Sequence, residues 1–253
     1  MARRTVALWA ALCIGLLFGG SAVRAHAAES TARPVYYIRA NEKAMALTFD
    51  VSWGDVMLPK VLTILTAYHQ PATFFLSGPW AKTHPQLVAA IQKAGGEIAS
   101  HGQAHVDLGG YSTSAIAANI GSADTILRQY TDAPLRFFRP PNGDWSPRSV
   151  ATATGLGYET IIWSIDSRDW MNPGVNTIVT RVANGAFPGA IILLHASDTC
   201  KQTDLALPTI ITRVRAEGYR LVTLGQLWDM GPAMRDDPRG SGQKPNMPAA
   251  SAS

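Results

Sequence analysis

Five polar residues of types that take part in catalysis or bind metals are spread widely along the chain. They are Asp50, His101, Arg139, Asp166 and His195. Each lies at or just past the C-terminal end of a different predicted strand. Brought together, carboxylates, imidazoles and a guanidinium could transfer protons and hold a metal ion, which is what hydrolysis of an unreactive amide requires.

The first of these residues, Asp50, ends the apolar run 44–49, and Trp53 and Gly54 then turn the chain towards an amphipathic segment. A carboxylate at the point where a strand opens into a loop can face a cleft. An aspartate in this position is also typical of a simple turn. The later polar residues favour the cleft, because several of them follow strands of their own.

Two histidines, His101 and His105, follow the strand predicted at 97–100. On a helical turn their imidazoles would face the same way and could share a metal ion. Such a spacing also arises by chance. We favour a metal pair because the chain has only six histidines, and His26 lies in an N-terminal segment that we expect to be removed.

Arg139 lies on a loop that Pro140 and Pro141 make stiff. Its guanidinium could hold Asp50 through two hydrogen bonds, and an ordinary salt bridge is the alternative. Backbone N–H groups near Asn142 could form an oxyanion hole.

The stretch 163–170 contributes two acids and two tryptophans ahead of His195. Either acid, Asp166 or Asp169, could lie beside His195, orient its ring and favour its protonated form. Trp170 could stack on a sugar, although a tryptophan at a rim more often only packs. A histidine that simply completes the rim is the alternative for His195.

The elements that position these residues alternate regularly. Strands are predicted at 34–38, 44–49, 72–76, 97–100, 135–138, 160–163, 190–194 and 219–223, and helices at 56–69, 85–94, 112–129, 146–154, 175–183, 204–217 and 224–230. This alternation predicts a parallel sheet covered by helices, either open and doubly wound or closed as a barrel. Polar residues at the ends of so many strands favour the barrel, where such ends assemble a site.

Five motifs, taken in order, resemble those of the polysaccharide deacetylase family (NodB homology domain, carbohydrate esterase family 4). They are Thr48-Phe49-Asp50, His101-x-x-x-His105, Arg139-Pro-Pro-x-Gly143, Asp166-x-x-Asp169-Trp170 and Leu193-Leu-His195. The resemblance covers roughly residues 43–228. The form of the first motif is similar to the branch associated with spore formation.

This resemblance implies a distorted (β/α)7-type barrel that removes N-acetyl groups from amino sugars of a glycan polymer, releasing acetate. It implies that Asp50 is the general base for the attacking water and that Arg139 holds Asp50. His195 would protonate the leaving amine, with Asp169 tuning its pKa.

The resemblance also implies the remaining roles in the site. His101 and His105 would bind a divalent metal, with zinc the expected ion. The Asn142 backbone N–H would stabilise the oxyanion, and Trp170 and Leu193 would shape the acetyl pocket.

Three positions depart from the family pattern. The family's second aspartate, a metal ligand, is Val51 here, and valine cannot coordinate an ion. Gly102 replaces a serine or threonine, and Asn142 replaces a tyrosine. We therefore expect weak metal binding, with Asp55 a possible substitute ligand.

The N-terminus carries Arg3 and Arg4, an apolar run from residue 5 to about 20, and Ala25-His26-Ala27. This pattern predicts a signal peptide over 1–27, and an uncleaved membrane anchor is the alternative. Either outcome places the domain outside the cytoplasm, secreted or anchored at the cell wall. We then expect a lead segment at 28–42, the catalytic domain at 43–230 and a disordered tail at 231–253.

Loss of residues 1–27 would remove three of the 22 lysines and arginines and none of the 18 acidic residues, so the mature chain is almost neutral. This balance gives no case for nucleic acid as a partner. Cys13 would leave with the signal, so Cys200 has no disulfide partner. A Cys200/His195 nucleophile is conceivable, but a loop thiol is the simpler interpretation. We expect a monomer.

Two functions of different classes remain open from the residues. The leading hypothesis is a metal-assisted hydrolase of an N-acetylated, peptidoglycan-like glycan. The alternative is a non-catalytic glycan-binding or sporulation-related protein on a degenerate barrel, which the loss of an acid at Val51 favours. Retention of both Asp50 and His195 opposes it, because binding alone needs neither.

Overall fold

The computed structural model describes residues 31–240 and 244–245. The predicted signal segment 1–27 lies outside these residues. Within them, no helix combines the length and the apolar character needed to cross a membrane.

A curled parallel sheet of eight strands forms the centre of the molecule, and the first and last strands form a separate antiparallel pair. The described residues contain ten strands in all. They are β1 (Tyr37–Ile38), β2 (Ala44–Val51), β3 (Thr73–Leu76), β4 (Glu97–Ser100), β5 (Phe137–Phe138), β6 (Glu159–Thr160), β7 (Ile165–Asp166), β8 (Ile191–His195), β9 (Arg220–Val222) and β10 (Ala233–Met234). The main sheet runs in the order β6-β5-β4-β3-β2-β8-β7, and β9 pairs with the start of β2. The prediction of a distorted (β/α) barrel is confirmed as a half-barrel.

Strand β2 is the axis of this sheet, because all of its residues are buried and three strands pair with it. Its register with β8 sets Asp50 directly beside His195. On the other flank, the register of β4 with β5 pairs Ser100 with Phe138, so His101 and Arg139 follow at the same level. Parallel strands thus bring residues that are distant in sequence to one edge.

Eight helices cover the sheet or connect its strands in the described part of the chain. They are α1 (Met57–Ala67), α2 (Gly78–Thr83), α3 (Pro85–Lys93), α4 (Thr113–Leu127), α5 (Pro147–Gly155), α6 (Val175–Gly185), α7 (Thr203–Ala216) and α8 (Leu224–Trp228). Capping explains several of the starts: Ser112 caps α4, and capping boxes open α5 at Ser146 and α8 at Thr223. Helix α2 was not predicted, because six residues are too short to show a helical period.

The strand predicted at 160–163 ends earlier than expected. Residues beyond Thr160 leave β6 because the lead segment enters at this point: the Val35 N–H donates to the Thr160 carbonyl at 2.8 Å, and the Ile162 N–H donates to the Val35 carbonyl at 2.8 Å. The chain then re-enters the sheet as β7.

The tail predicted at 231–253 is folded at its start. Strand β10 pairs antiparallel with β1, and Arg235 Nη2 lies 2.8 Å from Glu159 Oε2. The Tyr37 hydroxyl donates to Asp236 Oδ2 at 2.9 Å. The prediction of disorder failed for 231–240 because the composition of the segment hides these pairings with the lead segment. Residues 246–253 lie outside the described part.

Candidate active site

A cavity of about 500 Å³ opens at the carboxyl ends of the central strands. It is lined by Asp50, Ser52, Trp53, His101, His105, Asn142, Gly143, Trp163, Asp166, Trp170, Leu193, His195, Ser197, Thr199 and Cys200. The predicted site residues are all in this lining except Arg139 and Asp169, which lie directly behind it. A larger cavity of about 790 Å³ opens beside β9 and contains none of the predicted residues.

Arg139 is fully buried and holds Asp50. Its Nη1 donates to Asp50 Oδ1 at 2.7 Å and to Thr48 Oγ1 at 3.0 Å, and its Nη2 donates to the Ile162 carbonyl at 3.3 Å. The guanidinium carbon lies 4.0 Å from the centroid of the Phe75 ring. A buried charge needs such partners. The structure thus brings Asp50 and Arg139 together, but through one hydrogen bond of an ordinary salt bridge rather than through the two that the guanidinium could make.

The charge on Arg139 determines the ionisation of Asp50. Burial alone would raise the pKa of this carboxyl, but the Arg139 guanidinium, helped by His101 and His195, lowers it below its usual value. Asp50 is therefore an ionised carboxylate. Because Oδ1 is held by Arg139, Oδ2 is the oxygen available to accept a proton.

Asp169 is fully buried and orients His195. Its Oδ1 accepts a hydrogen bond from His195 Nδ1 at 2.8 Å, and its Oδ2 accepts one from the His195 backbone N–H at 2.7 Å. The hydroxyls of Thr203 and Ser167 donate to the same carboxylate at 2.7 and 3.1 Å. The proton of the ring is thereby fixed on Nδ1 in the neutral form, which leaves Nε2 for the cavity.

The pKa of His195 is raised above its ordinary value. Burial would lower it, but the Asp169 carboxylate outweighs that effect by charge and by hydrogen bonding, and Asp50 adds to the rise. His195 therefore favours the protonated state that a general acid requires.

The sequence left open which acid accompanies His195, and the structure places Asp169 there. Asp166 also lines the cavity, but its Oδ1 accepts from the Arg168 backbone N–H at 2.9 Å. Asp166 thus closes the local turn in which Arg168 adopts a left-handed conformation, with φ of 57°.

The two predicted metal ligands lie on an irregular loop after β4, and the expected helical turn is absent there. Gly102 has φ of +78°, which bends the chain immediately after His101. The His101 and His105 rings nevertheless meet edge to face, with centroids 5.4 Å apart.

His101 is held as a neutral imidazole. Its Nδ1 lies 2.8 Å from the Arg139 carbonyl, which can only accept, so Nδ1 carries the proton and Nε2 presents a lone pair. Burial lowers the pKa of His101 to about 4, although the Asp50 carboxylate acts in the opposite direction. The pKa of His105 is also lowered by burial.

These residues fit a divalent metal ion, but incompletely. His101 Nε2 presents a lone pair 3.8 Å from Asp50 Oδ2, and an unprotonated imidazole nitrogen is the form in which histidine could bind such an ion. His105 lines the same cavity. Neither position considered for a third ligand completes the set: Val51 is fully buried in β2 and outside the lining, and the exposed Asp55 is not in the lining either.

Three further potential ligands, Asp169, His195 and Cys200, have donor atoms within 4.8 Å of one another. Both carboxylate oxygens of Asp169 are already occupied by hydrogen bonds. Burial raises the pKa of the Cys200 thiol to about 12, so it stays protonated. This group is better described as an acid–base pair beside a thiol than as a metal site, and a Cys200 nucleophile receives no support.

Asn142 lies in a tight turn above the cavity, with φ of 57°. The N–H groups of Gly143 and Asp144 close this turn on the carbonyls of Pro140 and Pro141, both at 3.0 Å. The Asn142 side chain donates to Asp107 Oδ1 at 2.7 Å and so connects the turn to the loop that carries His101 and His105. The predicted oxyanion role of its backbone N–H stays a prediction.

Sequence reasoning missed several residues of the lining. Trp53 and Trp163 were seen only as parts of motifs, and Ser52 and Ser197 were not considered. The Ser52 N–H donates to Ser197 Oγ at 3.0 Å and joins the loops after β2 and β8. The position of Ser197, two residues after His195, was the only sequence signal for this contact.

Comparison with known proteins agrees with this arrangement. The family model described as polysaccharide deacetylase matches residues 38–161. A peptidoglycan-N-acetylglucosamine deacetylase of Bacillus cereus is 36% identical over 202 residues, covering 79% of this chain and 94% of the relative.

The chain belongs to the polysaccharide deacetylase family. A chitooligosaccharide deacetylase of Sinorhizobium fredii is 37% identical over 63% of this chain and 74% of its own length.

Among solved structures of the family, the Bc1960 peptidoglycan N-acetylglucosamine deacetylase has a TM-score of 0.74 and 28% identity, over 79% of this chain and 94% of that one. A pseudoenzyme of the family from Bacillus anthracis has a TM-score of 0.73 and 31% identity, over 78% of this chain and 69% of that one. A mutant of that pseudoenzyme has restored enzymatic activity. Both active and inactive proteins therefore share this fold.

Proposed function

We propose that this member of the polysaccharide deacetylase family hydrolyses N-acetyl groups of amino sugars in a peptidoglycan-like glycan and releases acetate. The pairing of Asp50 with His195 carries the proposal: they are register neighbours on adjacent strands and line one cavity. The pKa of Asp50 is lowered and that of His195 is raised, so one is ready to accept a proton and the other to donate one.

The reaction follows from these groups. Asp50 Oδ2 accepts a proton as water attacks the acetamide carbonyl, while Arg139 keeps the carboxylate in position. His195 Nε2 then gives a proton to the amine as the carbon–nitrogen bond breaks. Asp169 compensates the charge on His195 throughout the cycle.

Hydrolysis of an amide also needs a group that stabilises the negative charge developing on the carbonyl oxygen. A divalent ion held by His101 and His105 would polarise the carbonyl and lower the pKa of the attacking water. The neutral state of His101 suits such an ion, because a ligand imidazole must be unprotonated. The backbone N–H of Asn142 would donate a further hydrogen bond to the oxyanion. We propose zinc as the ion, weakly bound because Val51 supplies no carboxylate.

The test is acetate release from N-acetylated glycans by the purified protein, with and without added divalent metal. Deacetylation predicts one free amine for each acetate and a rate that rises with metal. Cleavage of the glycan without acetate would contradict the reaction type.

A second function, glycan binding without catalysis, is favoured by two observations. Val51 is buried where the family keeps a ligand, and a pseudoenzyme shares 31% identity with this chain. It predicts binding of glycan with no acetate released at any metal concentration.

We also propose that the protein is exported and acts on the cell wall as a monomer. The pattern Ala25-x-Ala27 supports cleavage before Ala28. N-terminal sequencing of material from the native host tests this, and a membrane-bound form that retains residues 1–27 would establish an anchor. A role in sporulation predicts expression confined to spore formation.

A further inference from the structure

Trp53 has no assigned role in the site, yet it lines the catalytic cavity and remains 42% exposed. The cavity measures about 500 Å³, which suits a small-molecule ligand. A glycan polymer is longer than such a cavity and has to continue over the rim. Trp53 is one of the large side chains at that rim.

The Trp53 indole is held firmly although it is exposed. Its Nε1 donates to Thr199 Oγ1 at 3.1 Å, and its carbonyl accepts from the Asp198 N–H at 3.3 Å. The next residue is fixed as well, because Trp80 Nε1 donates to the Gly54 carbonyl at 2.7 Å. A rigid aromatic ring offers contact area to a ligand with little loss of conformational entropy on binding.

The position of Trp53 relates it to the reacting groups. Its ring meets the His105 ring edge to face, with centroids 5.0 Å apart. Trp170, 51% exposed, stands on the loop that carries Asp169. Both loops reach Thr199, since Asn172 Nδ2 donates to the Thr199 carbonyl at 2.9 Å. One exposed indole, Trp53, therefore lies beside His105, and the other, Trp170, lies next to Asp169.

We propose that Trp53 is a carbohydrate-binding platform, which stacks on the sugar next to the one being deacetylated and so selects glycan chains over single amino sugars. The apolar C–H face of a pyranose packs on an indole as other apolar surfaces do. The Trp53 indole offers an apolar contact surface and no charge, and this suits an uncharged sugar ring as the ligand. The inference rests on the proposed function and names the part of the substrate that reaches the rim.

Binding without turnover gives the sharpest test. An Asp50→Asn protein, in which the base is removed, is titrated calorimetrically with the N-acetylglucosamine pentamer and compared with Asp50→Asn/Trp53→Ala. We expect the added change to weaken pentamer binding by at least about tenfold, a difference of about 1.4 kcal/mol. Trp53→Phe in the same background keeps a ring and should recover most of the affinity.

Tyr111→Ala in the same background is the matched control, since Tyr111 is an equally exposed aromatic residue, at 44%, outside the cavity. It should leave pentamer affinity unchanged. The proposal is overturned if Trp53→Ala does not weaken pentamer binding. It is also overturned if Trp53→Phe weakens pentamer binding as much as Trp53→Ala does. Failure of the proposed function is separate, because it appears as wild-type protein that releases no acetate.

Discussion

Two ion pairs set the protonation states in this site: Arg139 with Asp50, and Asp169 with His195. Burial opposes the ionised form of Asp50 and the protonated form of His195, and in both cases a buried partner, Arg139 or Asp169, reverses the effect. The two reacting groups thus depend on two residues that do not line the cavity.

Removing the charge of Asp169 should shift the pH dependence. Because the Asp169 carboxylate raises the pKa of His195, Asp169→Asn lowers that pKa, and His195 loses its proton at a lower pH. We expect the alkaline limb of the kcat/KM profile to move to lower pH, together with a loss of rate. Cys200→Ser is the control: the thiol pKa is about 12, so the limb should stay in place. If the alkaline limb does not move in Asp169→Asn, that limb reports the ionisation of a group other than His195.

We predict that the side chain at position 51 limits how strongly the protein binds a metal ion. Val51→Asp places a carboxylate in the family's ligand position, and we expect calorimetric affinity for zinc to tighten by at least about tenfold. Because Val51 is fully buried, the metal-free variant should lose at least about 1–3 kcal/mol of stability, which metal then restores.

The matched variant Val51→Asn carries a similar cost without the charge. It should unfold as easily as the Asp variant but bind zinc no more tightly than wild type does. Equal zinc affinity in the Asp and Asn variants would show that position 51 does not reach the ion.

At the scale of elements, the loop after β8 organises the rim. Asp198 accepts hydrogen bonds from the backbone N–H groups of Asp55, Val56 and Met57 at 3.2, 3.0 and 2.8 Å, and so caps helix α1 from a distant segment. Gly54 lies against it with φ of +82°, and a β-carbon there would overlap the Asp198 carboxylate.

Asp198→Ala should destabilise the fold by about 0.5–2 kcal/mol, because three N–H groups at the start of α1 lose their acceptor. Urea unfolding measures the change. Asp198→Asn retains an acceptor oxygen and should lose less. An Ala variant as stable as wild type would show that water replaces the cap without cost.

The sequence predicted these elements to different degrees. The long apolar runs of β2 and β8 were located to within about two residues, since a fully buried strand needs continuous apolar character. The short strand β4 was located at its observed bounds, just after the two glycines that end the preceding helix. Helix α2 and the pairing of β1 with β10 left no such pattern. The choice between Asp166 and Asp169 depends on which carboxylate the turn directs inward, and spacing does not encode that. The histidine pair was found for its spacing, but Gly102 breaks the helical turn that was expected to explain it.

On the scale of the whole molecule, the half-barrel gathers at one edge the residues that lie far apart in the sequence. The fold alone does not decide activity, because an active deacetylase and a pseudoenzyme of the family both resemble it. In the proposed function, the activity of this chain rests on the Asp50–His195 pair, whose members are set side by side by the register of β2 and β8.

The measurement that tests this pair most directly is the rate of acetate release by Asp50→Asn and His195→Ala at saturating metal. Each change removes one proton transfer, and each should lower kcat by about 10²–10⁴-fold in protein that still folds. Asp50→Asn should also lower the thermal midpoint of unfolding, because the buried Arg139 loses its counter-charge. Wild-type rates in either folded variant would contradict the assignment of base and acid.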